Sequence, residues 1–260
     1  KLVGIETSGS LNILFTDKTG TLTKGELEVI GIILGDGKVV NSNKELISHK
    51  KYLRLLDESL IQNNSCNYDK VTKKFIGGNA TDQACVNFIS NKKPVILPKI
   101  KEKPFNSKDK YSKVVVNDNG NITYIKGSPE LLLKKCSKYL SLDGRETRFI
   151  SSTLLKKLNE YTKCGIRVIL TGYSKNDSDE IVLLSLVLIK DELRKESKGA
   201  VSIVQNAGVQ VVMITGDNKE TATSIAREVG IIKNSTDLVL TSTDLANMSD
   251  SELKKNLRNL

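Results

Sequence analysis

The residues of this 260-residue chain best suited to chemistry are Asp17-Lys18-Thr19-Gly20-Thr21-Leu22-Thr23, which begin one residue after the largely apolar run Asn12-Ile13-Leu14-Phe15. The run predicts a buried strand that ends near Asp17. A carboxylate at such a position must be solvated by other groups, and a phosphoryl group with a divalent cation would do so. Asp17 is therefore predicted to be a nucleophile that forms an aspartyl-phosphate.

A second loop of small polar residues, Thr215-Gly216-Asp217-Asn218, follows the apolar segment 209–214. Apolar residues recur at helical spacing before this segment, over residues 193–204, and after it, over residues 222–229. Alternating helices and strands predict a doubly wound parallel sheet, in which ligands bind where the carboxyl ends of the strands emerge. We therefore expect Asp17 and the second loop to face one crevice.

The middle of the chain, residues 26–190, has a different pattern. A hairpin is predicted around Asn117-Asp118-Asn119-Gly120, between two short apolar strands. Helices are predicted over residues 44–61, 82–90 and 151–163. This pattern predicts an α+β domain with an antiparallel sheet, inserted between two segments of the parallel domain, residues 1–25 and 191–260.

The composition is that of a soluble globular protein, with 38% apolar and 27% charged residues and a formal net charge of +10. The apolar run 181–189 is too short to cross a membrane, so this chain is not expected to insert into one. Scattered lysines and the lack of tryptophan argue against nucleic acid as a partner. Four dispersed cysteines (Cys66, Cys85, Cys136 and Cys164) predict neither a disulfide framework nor a zinc site, and indicate a reducing, cytosolic compartment.

Three further segments lie between the two loops: Gly78-Asn79-Ala80-Thr81-Asp82, Phe105-Asn106-Ser107-Lys108-Asp109-Lys110 and Lys126-Gly127-Ser128-Pro129-Glu130. In this order, and with both loops, they resemble the motifs of P-type cation-transporting ATPases. The resemblance covers essentially the whole chain. It implies an ATP-driven cation pump, calcium-pump-like, with a haloacid-dehalogenase-like phosphorylation domain and an inserted nucleotide-binding domain.

The resemblance implies a role for each matched residue of the two loops. Asp17 would be phosphorylated from bound MgATP, and Thr19 would offer its hydroxyl to the phosphate and its carbonyl to Mg²⁺. Asp17 and Thr19 are thus the expected metal ligands. Thr215 and Gly216 would donate hydrogen bonds to the phosphoryl group, while Asp217 would orient its loop or reach the metal through water.

The resemblance also implies a nucleotide site. Phe105 would stack on adenine, Lys110 and Lys126 would supply positive charge, and Arg167 would reach the phosphates. The set is completed by Asp82, Ser107 and Gly127. Taken singly, Phe105 is more often a core aromatic residue, the lysines are more often solvated at the surface, and Arg167 is more often in a surface ion pair.

The chain departs from the family at several points. Asp82 stands where glutamate is usual, and Asp191-Glu192-Leu193-Arg194 replaces a D-P-P-R hinge. No later G-D-G-x-N-D segment is found before Leu260, and Lys18 is left open between a catalytic and a turn residue. The chain is therefore expected to be a cytosolic fragment that binds ATP but phosphorylates itself poorly. Its expected partners are the actuator domain and membrane helices of the same pump, which is integral to the cell membrane.

Two alternatives remain open at this point. A soluble haloacid-dehalogenase-type phosphatase with a cap domain shares the aspartate nucleophile, but usually has a second aspartate where this chain has Thr19. The non-enzyme alternative is a regulatory nucleotide-binding module or a basic nucleic-acid binder. The transported ion cannot be read from these residues, although calcium is favoured.

Overall fold

The computed structural model describes residues 9–89, 94–118, 120–148, 151–175, 178–217 and 219–260. The strands are β1 (Ile13–Asp17), β2 (Thr23–Ile33), β3 (Val39–Val40), β4 (Asn67–Asp69), β5 (Lys74–Ile76), β6 (Lys99–Lys103), β7 (Tyr111–Asn117), β8 (Asn121–Gly127), β9 (Cys136–Leu140), β10 (Glu146–Arg148), β11 (Arg167–Lys175), β12 (Ile181–Leu193) and β13 (Gln210–Ile214). The α-helices are α1 (Lys50–Gln62), α2 (Ala80–Phe88), α3 (Pro129–Leu132), α4 (Ser151–Lys163), α5 (Ser197–Asn206), α6 (Lys219–Val229), α7 (Ser242–Ala246) and α8 (Asp250–Asn256). Asn119 and Asn218, from the predicted turn and loop, lie outside the described residues. Among the helices described, none has the length and apolar character that crossing a bilayer requires.

The chain divides into two compact units. The first comprises the described residues up to Glu26 together with Lys163–Gly165 and Asp191–Leu260. The second comprises Leu27–Thr162 and Ile166–Lys190. The short segment 163–165, which joins the first unit, carries no signal in the sequence that sets it apart from the helix before it.

The second unit is built on a large sheet in the order β10-β9-β12-β11-β8-β7-β6, with β2 pairing with β12 and β3. Neighbouring strands from β12 to β6 are antiparallel, whereas β9 pairs with β12 in parallel. The predicted hairpin is confirmed, because Asn117 lies opposite Asn121 in the β7–β8 pair. The mixed α/β unit with an antiparallel sheet agrees with the predicted fold of this part.

Apolar side chains cover both faces of this sheet. On one face, Tyr52 and Leu56 of α1 belong to a buried cluster with Tyr124 of β8. On the other face, Leu154 of α4 is buried with Leu170 of β11. Burying such a side chain contributes about 1.5–3 kcal/mol relative to leaving it in water, so these two layers hold the strands in place.

The first unit contains a parallel pair of strands. β1 pairs with β13, with Asp17 opposite Ile214. Leu22, Val201 of α5 and Val229 of α6 form a small buried cluster beside this pair. Within the described residues this parallel sheet has two strands, so the structure does not show the doubly wound sheet that was expected.

The predicted helix over residues 44–61 is interrupted. Asn43–Leu46 form a short 3-10 helix, and the α-helix begins only at Lys50. The cause is a capping box, in which the Ser42 hydroxyl and the Glu45 carboxylate satisfy each other's backbone N–H groups and close the first turn locally.

Two predictions for the first unit were also wrong. Leu193, predicted to be helical, is the last residue of β12, and α5 begins at Ser197. β1 is not a buried strand, because Phe15 is 56% exposed and Ile214, at the end of the paired strand β13, is 60% exposed. Apolar content alone indicated a strand but did not reveal how much of it would be covered.

Candidate functional site

Asp17 lies at the end of β1, where the chain enters a tight loop. Its Oδ1 accepts a hydrogen bond from the Lys18 N–H at 2.8 Å. Gly20 has φ +76, a conformation that any side chain would strain, and its N–H donates to Thr23 Oγ1 at 3.3 Å. Thr19 is exposed on the same loop, so this turn presents both Asp17 and Thr19 to solvent.

The second loop begins beside the first. Thr215, Gly216 and Asp217 follow β13 directly, and the last residue of β13 is paired with Asp17. The Asp217 N–H donates to Thr215 Oγ1 at 3.2 Å, which tightens the turn. Parallel pairing thus brings all five predicted phosphorylation-site residues to the same end of two neighbouring strands.

Lys18, which the sequence left undecided, joins the two loops. Its side chain is only 8% exposed, and its Nζ lies 2.7 Å from Asp217 Oδ2 and 3.9 Å from Asp191 Oδ2. The ammonium group partly neutralises the Asp217 carboxylate. Without that neutralisation, Asp217 would repel an incoming phosphoryl group.

Asp191 and Arg194, the two residues kept from the hinge motif, hold the loop that follows Asp17. The Asp191 carboxylate accepts hydrogen bonds from the Thr23 hydroxyl at 2.7 Å and from the Gly25 N–H at 3.1 Å. Arg194 donates from Nε to the Thr23 carbonyl at 3.1 Å and from Nη2 to the Gly20 carbonyl at 3.0 Å. These four bonds fix the backbone that follows Asp17.

All seven predicted nucleotide-binding residues line one cavity in the second unit. Its volume is about 770 Å³, which is within the usual range for small-molecule sites. The seven residues come from helix α2, the loop before β7, the end of β8 and the start of β11. The lining also includes polar residues that the sequence did not single out: Asn63, Asn64, Ser65, Asn79 and Thr81.

Asp82 and Lys126 form a buried ion pair in the wall of this cavity, with side chains 9% and 8% exposed. Lys126 Nζ also donates to the Asn63 carbonyl at 2.7 Å, and Asp82 Oδ2 accepts from the N–H and hydroxyl of Ser65 at 2.9 and 2.7 Å. Burial opposes ionisation of Asp82, but Lys126 and the Ser65 hydrogen bonds outweigh it and hold the pKa of this carboxyl below its usual value. The reading of Lys126 as a solvated surface lysine was therefore wrong.

The other predicted residues lie at the edge of the cavity. Phe105 is 59% exposed, so it is not a core aromatic residue. Gly127 allows close approach of β7, since a Cβ there would lie 2.5 Å from the Lys110 carbonyl oxygen. Arg167 donates from Nη1 to Thr81 Oγ1 at 2.7 Å, which holds the guanidinium next to the cavity.

The match of this chain to a protein-family model shows which family it belongs to. The model described as "P-type ATPase, cytoplasmic domain N" matches residues 51–199 of the chain. The chain belongs to the P-type ATPase family. This confirms the predicted family, and the matched region contains all the residues that line the cavity of the second unit.

Several curated relatives of this P-type ATPase chain are named calcium-transporting ATPases. The chain is 32% identical to one from Listeria monocytogenes, over all of this chain and 31% of that relative. It is 27% identical to calcium-transporting ATPase 1 of Lactococcus lactis, again over all of this chain and 31% of the relative. It is 31% identical to calcium-transporting ATPase 1 of Saccharomyces cerevisiae, over 97% of this chain and 30% of the relative. The chain thus spans less than a third of the length of these relatives.

A metal ion bound to this P-type ATPase chain would depend on the ligands that the chain itself offers. Within the described residues, no group of three or more His, Cys, Asp or Glu side chains is arranged to hold a metal ion. Mg²⁺ usually takes one or two carboxylates and completes its shell with water and substrate phosphates. The exposed Asp17 carboxylate and the neighbouring Thr19 carbonyl fit this smaller protein contribution.

Several residues of these sites in the P-type ATPase were not predicted from the sequence. They differ in whether a sequence motif pointed to them. Asn79 and Thr81 lie inside the segment 78–82, so the motif itself was the signal. Asn63 lies just after α1 and follows no motif. Lys18 was visible beside Asp17, but only the fold shows that it reaches Asp217.

Proposed function

We propose that this chain binds MgATP in the cavity of its second unit and accepts the γ-phosphoryl group on Asp17, as the catalytic part of an ATP-driven calcium pump. One observation carries the proposal. Seven residues, identified beforehand from separate motifs, line a single cavity of suitable volume.

The cavity offers complementary groups to each part of ATP. The exposed Phe105 ring provides a flat apolar face on which adenine stacks. The Asp82–Lys126 pair supplies a rigid polar wall for the base, and Lys110 and Arg167 at the edge attract the phosphates. Asp82 is already held by Lys126 and Ser65, so its position in the cavity wall is fixed. Its negative charge is also compensated before the ligand binds.

The transfer itself needs position and charge compensation more than acid–base work. An Asp17 carboxylate oxygen attacks the γ-phosphorus, a new O–P bond forms, and the bond to the bridging oxygen breaks with its electron pair leaving on ADP. The Thr215 hydroxyl and Gly216 N–H donate to the phosphoryl oxygens, while Lys18 keeps Asp217 from repelling them. Mg²⁺, when held by Asp17 and the Thr19 carbonyl, supplies further neutralisation of the phosphate charge.

The wider assignment rests on the relatives. Since they are named calcium-transporting ATPases and the chain spans less than a third of their length, we propose calcium as the transported ion. The remaining regions of such a pump, including membrane helices and an actuator domain, are then the partners of this chain. We further propose that β1 and β13 belong to a doubly wound, haloacid-dehalogenase-like sheet, since their parallel pairing and flanking helices follow that pattern.

Calorimetric titration with ATP tests the binding site. Phe105→Ala is expected to weaken binding about tenfold, because stacking of a base on an aromatic ring contributes about 1–3 kcal/mol. Phe15→Ala is the matched control, since Phe15 is exposed to a similar extent in the first unit. No heat of binding, or equal affinity in both variants, would rule out this cavity as the ATP site.

A further inference from the structure

Strands β6, β7 and β8 carry a second concave surface on the face opposite the nucleotide cavity. Successive residues of a strand point to opposite faces of its sheet. Ser112 and Lys126 line the nucleotide cavity, whereas their neighbours Lys113 and Ile125 line the second cavity, whose volume is about 810 Å³. We call this second cavity the outer groove. Its charged lining consists of Lys101, Glu102, Lys103, Lys113, Lys135 and Asp179.

The four lysines of the outer groove are not alike. Lys103 is compensated, because its Nζ lies 2.7 Å from Asp109 Oδ2 and 4.3 Å from the centre of the Tyr111 ring. The remaining lysines differ from it in having no carboxylate within 4.0 Å among the described residues, and they are exposed: Lys101, Lys113 and Lys135. Three ammonium groups therefore line the outer groove without an anionic partner in the part of the chain that the structure describes.

The strand register brings like charges together. Lys103 of β6 lies directly opposite Lys113 of β7, and Lys101 lies opposite Val115, two residues further along the same face. Like charges at directly opposed positions destabilise an antiparallel pair. Asp109 offsets this repulsion at Lys103, but Lys101 and Lys113 have no carboxylate within 4.0 Å among the described residues, so a bound anion would lower the repulsion that remains between them.

The acidic residues of the outer groove do not supply that anion. Glu102 is engaged with Lys99 at 2.6 Å. Asp179 is then the remaining carboxylate of the lining, against three uncompensated lysines. The outer groove therefore keeps a net positive charge in a concave surface, where a multivalent anion is attracted most strongly.

We propose that the outer groove binds a ligand with two or more phosphate groups through the ammonium groups of Lys101, Lys113 and Lys135. Lysine serves as a point-charge donor to phosphate oxygens, and three such donors around one concavity suit a polyphosphate better than a single phosphate. The ligand is either a free polyphosphate or the headgroup of a phosphoinositide lipid. This site is separate from the nucleotide cavity and does not depend on the function proposed for that cavity.

The test titrates the 260-residue chain with inorganic tripolyphosphate at physiological salt. A second arm uses phosphatidylcholine vesicles with and without phosphatidylinositol bisphosphate. The double variant Lys101→Gln with Lys113→Gln is expected to weaken binding by about fivefold or more, since two charge contacts are lost. The matched control is Lys70→Gln with Lys74→Gln, which removes the same charge from the exposed β4–β5 hairpin and is expected to change affinity less than about twofold. Arg167→Ala is expected to leave the weakening caused by the outer-groove variant unchanged, because tripolyphosphate held near Arg167 would occupy the other cavity.

The outcomes separate the sources and the alternatives. Loss of tripolyphosphate binding in the outer-groove variant supports a free polyphosphate as the ligand. If the variant loses only its binding to vesicles that contain phosphatidylinositol bisphosphate, the ligand is a lipid headgroup. Equal weakening by both lysine pairs would mean that the chain attracts anions only through its overall charge, and would overturn the proposal. Loss on Arg167→Ala alone, or no binding in either arm, would overturn it as well. All four lysines are exposed, and unfolding midpoints of both double variants verify that they fold.

Discussion

Lys126 and Asp82 illustrate, at the scale of single residues, how a charged pair becomes part of a binding surface. A buried charge costs several kcal/mol unless it is paired and hydrogen-bonded. Here the pair is supplemented by the Asn63 carbonyl and by two donors from Ser65. The pair is therefore a fixed element of the cavity wall, and its loss should affect folding as well as binding.

Lys126→Gln is expected to lower the free energy of unfolding by about 3 kcal/mol, because it leaves the Asp82 carboxylate buried without its cation. The matched control is Lys110→Gln, which removes an exposed lysine from the same cavity and is expected to change stability by less than about 0.5 kcal/mol. Urea unfolding measures both variants. Coincident transitions for the two would contradict the buried ion pair.

The lowered pKa of Asp82 predicts a dependence of stability on acid pH. Burial opposes its ionisation, but Lys126 and the Ser65 hydrogen bonds prevail, so the folded chain releases this proton more readily than the unfolded chain. The stabilisation is complete above the unfolded pKa of about 4 and is lost as the pH falls through the lower folded pKa. Asp82→Asn should flatten the pH dependence of unfolding below about pH 4, while Asp179→Asn should retain it. Identical slopes in these variants would show that Asp82 gains nothing from its partners.

Residues that the sequence predicted from contiguous motifs lie together in the structure. Phe105 and Arg167 were named from such motifs, and both line the cavity. The burial and the ion-pair partner of a charged side chain were harder to predict, because they depend on residues distant in sequence. Lys126 is buried through its contact with Asp82, and Lys18 through contact with Asp217, and no local pattern encodes either contact.

At the scale of secondary structure, the cavity depends on how closely β7 and β8 approach. Gly127 ends β8 opposite Tyr111, and a Cβ at Gly127 would lie 2.6 Å from the Tyr111 Cβ. The lack of a side chain therefore sets the strand spacing beside Lys110 and Lys126. The glycine of this motif has a packing role in addition to any contact with a ligand.

Gly127→Ala is expected to destabilise the chain by about 1–3 kcal/mol, because the strands must separate to admit a methyl group. Gly199→Ala is the control: Gly199 lies in helix α5 with nothing within 4 Å of an added Cβ, and alanine there is expected to stabilise by about 0.5–1 kcal/mol. Thermal unfolding compares the two variants. A Gly127→Ala chain at least as stable as the wild type would contradict the close approach.

Elements with a strong local signal were predicted well, and those set by tertiary contacts were not. The apolar run 181–189 and the hairpin at Asn117 form the expected strands. The break before Lys50 depends on a capping box, and Leu193 was assigned to the wrong element because apolar spacing continued from β12 into α5. Helical periodicity alone could not locate that boundary.

At the scale of the whole molecule, the order of the chain explains why the proposed phosphorylation site is split. The first unit is interrupted after Glu26 and resumes at Asp191, apart from the segment 163–165. Parallel pairing of β1 with β13 reunites its two loops, so Asp17 and Asp217 become neighbours despite their separation in sequence. The sequence predicted this convergence from strand and helix order, but it did not predict that β1 would remain half exposed.

Phosphorylation from γ-labelled ATP tests the central claim most directly, in the full-length protein that contains this chain. We predict acid-stable, hydroxylamine-sensitive labelling that Asp17→Asn abolishes, because the amide cannot act as the nucleophile. Asp36→Asn is the matched control, since Asp36 is an exposed carboxylate in the β2–β3 turn, and it should label like the wild type. Labelling that persists in Asp17→Asn would show that another residue carries the phosphoryl group and would contradict the account.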